Sequence, residues 1–186
     1  MLTNIPGTVL PYNGEMPDNV FGLIRPVLTA TGGVTLSQLS TFTGLEGTTI
    51  QNWIKRGWVV NVAGKKYYER QVLRILLINM LRGMMKLEDI ASLMSYVNGS
   101  VEDTSDDIIP DIELYNLFCM IIFDVNSTLS YDRKLIQEII NKKLRDKGLS
   151  PEAEKKLHRA LMVMVLAYIA NSLKRELDTS FKVMLE

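Results

Sequence analysis

The 186-residue sequence predicts a mainly α-helical protein, with a head of paired short helices and one small β-hairpin followed by an all-α helical tail. Three observations predict this. Apolar residues recur at three- and four-residue spacing through most of the chain beyond residue 34, as in helices that bury one face. Gly44, Gly57, Gly83 and Gly99 cut the first half into short pieces, and glycine is the usual residue just past a helix end. Residues 59–68 are instead β-branched, basic and aromatic on either side of Ala63-Gly64, which predicts the hairpin.

The elements follow in order. Residues 1–17 carry Pro6, Pro11 and Pro17 with Gly7, Asn13 and Gly14, a composition expected to form a flexible arm. Asp18 is expected to cap a short helix over residues 19–28, with Pro26 as its stop or kink and Gly32-Gly33 as a break. Thr35 caps a helix over residues 36–43, Gly44 turns the chain, and residues 48–55 continue to a stop at Gly57. Beyond the hairpin, residues 70–82 place Val72, Ile75, Leu76, Asn79 and Met80 near helical spacing, and residues 87–97 do the same with Ile90, Leu93, Met94 and Val97. A polar segment with Glu102, Asp103, Asp106 and Asp107 then marks a domain boundary. Three tail helices are expected over residues 111–124, 131–146 and 150–181, the last begun by Ser150-Pro151. The organisation is an arm (1–17), a head (18–99), an acidic linker (100–110) and a helical tail for dimerisation or effector binding (111–186).

Composition narrows the function classes. A hydrophobic share of 47% supports a packed interior, and a net charge of zero gives no global sign of an acidic partner. One cysteine, Cys119, and one histidine, His158, fall short of a disulfide or a zinc site, so neither metal nor other cofactor is expected. The N-terminus lacks the pattern of a secretion signal. The most apolar run, residues 160–170, is about half of the ~20 residues a membrane span needs. A soluble cytoplasmic protein is expected. No phosphate loop, nucleophile elbow or metal pattern is evident, so the chain is not read as an enzyme.

Function is carried by residues 34–98. Leu36, Leu39, Leu45, Ile50, Trp53 and Ile54 can brace two short helices against each other, leaving Thr48, Thr49, Gln51, Asn52, Lys55 and Arg56 outside or at the rim. Gln and Asn can pair with adenine edges, Thr with an acceptor or a thymine methyl, and Lys and Arg with phosphates. From residue 50 to 86 the basic residues are Lys55, Arg56, Lys65, Lys66, Arg70, Arg74, Arg82 and Lys86, against Glu69 alone. The acids that follow, from Glu88 and Asp89 to Asp111 and Glu113, are expected to face away from DNA.

In this order the parts resemble the MerR family of winged helix-turn-helix proteins. The resemblance rests on Thr49-Ile50-Gln51-Asn52-Trp53-Ile54-Lys55-Arg56-Gly57-Trp58-Val59, on Gly64-Lys65-Lys66-Tyr67-Tyr68-Glu69 as the wing, and on Leu87-Glu88-Asp89-Ile90 in the helix pair that follows. Gln51 stands where that family usually has Arg, and Lys65 replaces the wing tyrosine. With its all-helical tail, the chain looks most like an uncharacterised family, a domain of unknown function, that joins a MerR-like head to a helical tail. The resemblance implies a DNA-binding transcriptional regulator with Thr48, Thr49, Gln51, Asn52, Lys55, Arg56, Lys65, Lys66 and Tyr67 at double-stranded DNA. The alternative is a protein-interaction module whose head no longer binds DNA specifically.

Each piece also has a structural reading. Trp53, Trp58, Tyr67 and Tyr68 can be core or wing packing, Arg133-Lys134 and Lys142-Lys143 solvated helix faces, Cys119 a buried hydrophobe, and Met162 and Met164 core filler. Two heads usually share one DNA site, so a homodimer through the tail is expected, with the last helix as its seam. That helix is apolar nearly all round between Leu161 and Ile169. It predicts either a closed three-helix core or a pocket for an apolar, uncharged effector.

Overall fold

The computed structural model describes residues 4–15, 17–128 and 131–185. Residues 1–3 and 16 of the expected arm, and Glu186 of the tail, lie outside them. The described chain is mainly helical with one two-stranded antiparallel sheet. A 3-10 turn at Val20–Leu23 leads into α1 (Arg25–Ala30), β1 (Val34–Thr35), α2 (Leu36–Thr43), α3 (Gly47–Lys55), β2 (Lys66–Tyr67), α4 (Glu69–Leu81) and α5 (Leu87–Asn98); α6 (Asp111–Ser127), α7 (Arg133–Leu144) and α8 (Pro151–Met184) follow. No helix among the described residues is long and apolar enough to cross a membrane.

Local chemistry sets the helix ends. Thr35 caps α2 through a reciprocal box with Gln38: the Gln38 amide donates to the Thr35 hydroxyl (3.3 Å) and the Thr35 amide to Gln38 Oε1 (2.8 Å). Gly44 closes α2 in the left-handed region, φ 71°. Asn19, not Asp18, caps the first turn, accepting from the Gly22 amide. Pro26 does not end a helix; it lies in the first turn of α1, where its missing N–H has no bond to lose. Ser150 accepts from the Ala153 amide and Pro151 opens α8.

The expected hairpin is not formed. β2 pairs with β1, in the register Val34↔Tyr67 and Thr35↔Lys66, so α2 and α3 lie between the partners. Val59 is instead a core residue, 1% exposed. The two strands close the α2–α3 unit at its base, bringing its entry and exit together.

α4 decides the rest of the architecture. Ten of its 13 residues are buried, including Leu73, Leu77 and Leu81 as well as Val72, Ile75 and Leu76. A helix apolar on all sides must be covered on all sides, and α2, α5, α6 and α8 supply the cover. One hydrophobic core therefore runs through head and tail. The boundary placed at residues 100–110 does not separate two interiors. Ile109 is buried, Arg70 donates to the Val101 carbonyl (2.6 Å), and Arg74, its side chain 5% exposed, reaches Asp111 at the start of α6 (3.5 Å). In the tail, Leu157, Leu161 and Val165 of α8, Ile136 and Ile140 of α7, and Phe118 of α6 are fully buried in the same core.

The expected arm is likewise tied down where it is described. Ile5 is buried, and the Ile5 amide donates to the Leu10 carbonyl (2.9 Å). Asn79 of α4 donates to the Gly7 carbonyl (2.9 Å) and the Thr43 carbonyl (3.0 Å). Gly7 has φ 78°, and a Cβ there would stand 2.9 Å from the Leu76 carbonyl oxygen, so this approach to α4 requires glycine. The buried Tyr115 hydroxyl donates to the Pro6 carbonyl (2.7 Å). Tyr115→Phe removes that donor and leaves an acceptor in the core, so urea unfolding is expected to show a loss of about 1–3 kcal/mol. A loss below about 0.5 kcal/mol, half the net worth of an ordinary hydrogen bond, would mean that the segment does not depend on it.

Candidate nucleic-acid interface

α3 has the spacing of a surface helix. Ile50 and Trp53 point into the core and are 0% and 2% exposed, with Ile54 half-buried beside them. Thr48, Gln51, Asn52 and Lys55 fall on the opposite face at i, i+3, i+4 and i+7, and all four are exposed; Thr49 is half-buried at the rim. Six of the nine expected residues are thus brought to α3 or its end. Lys55, in the last turn, adds a cation where the helix dipole favours one.

The end of α3 is more crowded than its face. The Arg56 guanidinium stacks 5.1 Å from the Trp58 ring centroid and lies 3.2 Å from Glu88 of α5. Both charged side chains are more than half exposed, so the pair is weak and screened. It nonetheless corrects the expectation that the acids after residue 86 all face away from the basic surface. Asp111 departs from it in another way, turning inward to Arg74.

The wing residues divide. Lys65 is exposed on the loop before β2. Lys66 is half-buried and its ammonium donates to the Thr31 carbonyl after α1, so it is held by the protein itself. Tyr67 is 6% exposed: it faces the core opposite Val34, and burial raises its hydroxyl pKa. Tyr68, on the other side of the strand, is 51% exposed and is the aromatic side chain that solvent or a partner can reach. Strand alternation made it certain that only one of the two neighbours could face outward; which one depended on the pairing with β1.

The basic stretch is also sorted by burial. Arg74 belongs to the interior, where burial lowers its pKa against the pull of Asp111 and Asp107. Arg70, half-buried, donates to the Val101 carbonyl, and Arg25, outside the stretch, grips the lone acid Glu69 at 2.8 and 2.9 Å. Lys55, Lys65 and Lys86 are the exposed lysines of the stretch. Cys119 is fully buried and its thiol pKa is pushed up by burial, as expected of a small core residue. No cluster of three metal-ligating side chains occurs among the described residues.

Residues 18–118 match the family described as Domain of unknown function (DUF1836). The chain belongs to this family. The match runs from the first turn through α5 and into α6, across the acidic segment, and so takes in the Arg74–Asp111 contact. The chain is also similar to "Uncharacterized protein YkrK" of Bacillus subtilis (strain 168), 31% identical over 113 residues, which cover 57% of this chain and 48% of the relative. It thus spans about half the length of that curated relative. No solved structure matches.

Behind the end of α3, the acids around Arg74 set a pH dependence. The Asp107 carboxyl is pushed up to about 6, by burial first and then by the Asp111 and Asp106 carboxylates, against the pull of Arg74 and Arg70. Unfolded, it titrates near the usual ~3.9. Between these values the folded state holds the extra proton, so stability falls as pH rises from about 4 to about 6. Asp107→Asn is expected to flatten the melting temperature over that window and to raise it at pH 7. An unchanged slope would assign the effect elsewhere.

Proposed function

We propose that this chain is a DNA-binding transcriptional regulator whose α2–α3 unit works as a helix-turn-helix of MerR-like kind, with α3 docked in the major groove. The observation that carries this reading is the face of α3. Thr48, Gln51, Asn52 and Lys55 are base- and phosphate-binding residue types, aligned and exposed, on a helix braced from behind by Ile50 and Trp53. The 60–65 loop with Lys65 serves as the wing, with Tyr68 rather than Tyr67 as its outward aromatic. Lys66 is the weakest of the expected phosphate contacts, because its ammonium already has the Thr31 carbonyl.

The active form in this proposal is a homodimer through α8. Leu166, Leu173, Leu177, Phe181 and Met184 recur at three-, four- and seven-residue spacing, and are 40% to 70% exposed. That is the seam pattern of paired helices, and two heads on one site are the usual route to specific affinity. Leu177→Glu is expected to halve the mass in sedimentation at tens of micromolar; a chain that is monomeric before the substitution refutes the dimer.

A second reading, a protein-interaction module, is favoured by the ion pair that Glu88 makes with Arg56 beside α3 and by zero net charge. Selection of bound fragments from random DNA separates the two. Enrichment of a sequence at low salt supports the regulator, and none supports the module. Within the regulator reading, Lys55→Ala is expected to weaken all duplexes alike and lower the salt slope by about one unit. Asn52→Ala is expected to cost roughly 1–3 kcal/mol at one base position and relax preference there. Equal, sequence-independent losses at both positions contradict this division of roles.

A further inference from the structure

A cavity of about 240 Å³ lies between the corner after α3, the middle of α4 and the inner face of α5. Its walls include Trp58, Ile78, Leu87, Ala91 and Met94, and its one charged lining residue is Arg74. Arg74 is in an unusual position. Its side chain is 5% exposed, and its hydrogen-bond partner among the described residues is Asp111, at 3.5 Å, the long limit for such a bond. A guanidinium carries five N–H donors in a planar fork, and Asp111 takes one of them. Asp107 and Asp111, the acids that balance it, are absent from the lining of this cavity; they border, together with Arg74, a separate one of about 10 Å³. That smaller space also borders Asn98, whose buried Oδ1 has no protein partner, and it suits a single water.

We propose that the larger cavity is a binding site for a small apolar carboxylate, with the carboxylate on the open edge of Arg74 and the hydrocarbon or aromatic body between Trp58 and α5. A carboxylate matches the guanidinium fork with two parallel hydrogen bonds. The volume holds about eight waters at ~30 Å³ each, which limits the ligand to roughly ten non-hydrogen atoms. Trp58 is three residues past the end of α3 and stacks under Arg56. Occupancy of the cavity therefore bears on the helix that the regulator reading places in DNA, but it requires no DNA to occur.

Tryptophan emission of the full chain, titrated with phenylacetate and hexanoate and with the corresponding amides, tests the site without DNA. The acids are expected to give a saturable change with a Kd of about 1 mM or tighter, with the amides at least about tenfold weaker because the charge-assisted pair is lost. Ala91→Phe fills the cavity from α5 while keeping Arg74 and is expected to abolish the change while the melting transition stays cooperative. Arg74→Met is expected to erase the preference for acid over amide. Titrations that do not saturate for either acid, amides that bind as well as acids, or binding that survives Ala91→Phe would each overturn the proposal. These outcomes are read apart from DNA binding, so the site and the regulator reading stand or fall separately.

Discussion

The structure depends on covering α4. A 13-residue helix with ten buried positions cannot be stabilised by a single neighbour, because any uncovered side leaves several aliphatic side chains in water, each costing about 1.5–3 kcal/mol of lost burial. The N-terminal segment lies along it at Gly7, α2 and α5 cover further sides, and α6 and α8 arrive from the tail. What looked like a head and a tail is one interior organised round this helix. The buried Arg74 fits the same logic: it is the point on α4 where a charge enters the core, and it is met by Asp111 at the first residue of α6. Such a pair contributes less to stability than apolar packing would, but removing one member leaves a charge without its partner. It therefore fixes where α6 begins relative to α4.

That arrangement gives α3 its character. The helix is short and anchored by Ile50 and Trp53, and among the described residues its other face, with Thr48, Gln51, Asn52 and Lys55, is left exposed. A rigid scaffold behind an uncovered polar helix face is the physical requirement for reading a surface such as a DNA groove. The charges near it are not all available for that purpose. Burial takes Arg74, a backbone carbonyl takes Lys66, and Glu88 shares Arg56. The charge seen from outside is smaller than the run of basic residues from 50 to 86 suggests: Lys55, Arg56, Lys65, Arg82 and Lys86 are exposed, and Arg56 is shared with Glu88.

The family match takes in α4 and part of its cover. It extends from residue 18 to residue 118, past the polar segment and into α6. A unit ending at residue 99 would lack the cover that α6 and α8 give α4. The acidic segment is thus a surface strap over the Arg70–Arg74 edge of the core, with Ile109 buried beneath it, and its charge is partly explained by those two arginines.

Most element positions were legible in the sequence because their signals are local. The Thr35 cap with Gln38, the left-handed Gly44, the Ser150-Pro151 start and the three- and four-residue spacing of Ile50, Trp53 and Ile54 depend on neighbours a few residues away. The polar face of α3 follows from that spacing alone. Other features depended on which distant segments meet. Lys66 and Tyr67 carry a strand signal, but its partner was Val34–Thr35 rather than Val59 and Val60, and this choice turned Tyr67 inward and Tyr68 outward. The arm looked loose from its prolines and glycines, yet its hydrogen bonds go to Asn79 and Tyr115, dozens of residues away. For α4 the spacing of Val72, Ile75, Leu76 and Met80 signalled a helix with one apolar face; that Leu73, Leu77 and Leu81 are buried as well was decided by the tertiary structure, which covers its other sides. Secondary structure is set by short-range geometry and hydrophobic period, whereas the fate of a charge or an aromatic ring is set by what packs against it, and that is decided by contacts between residues far apart in the chain.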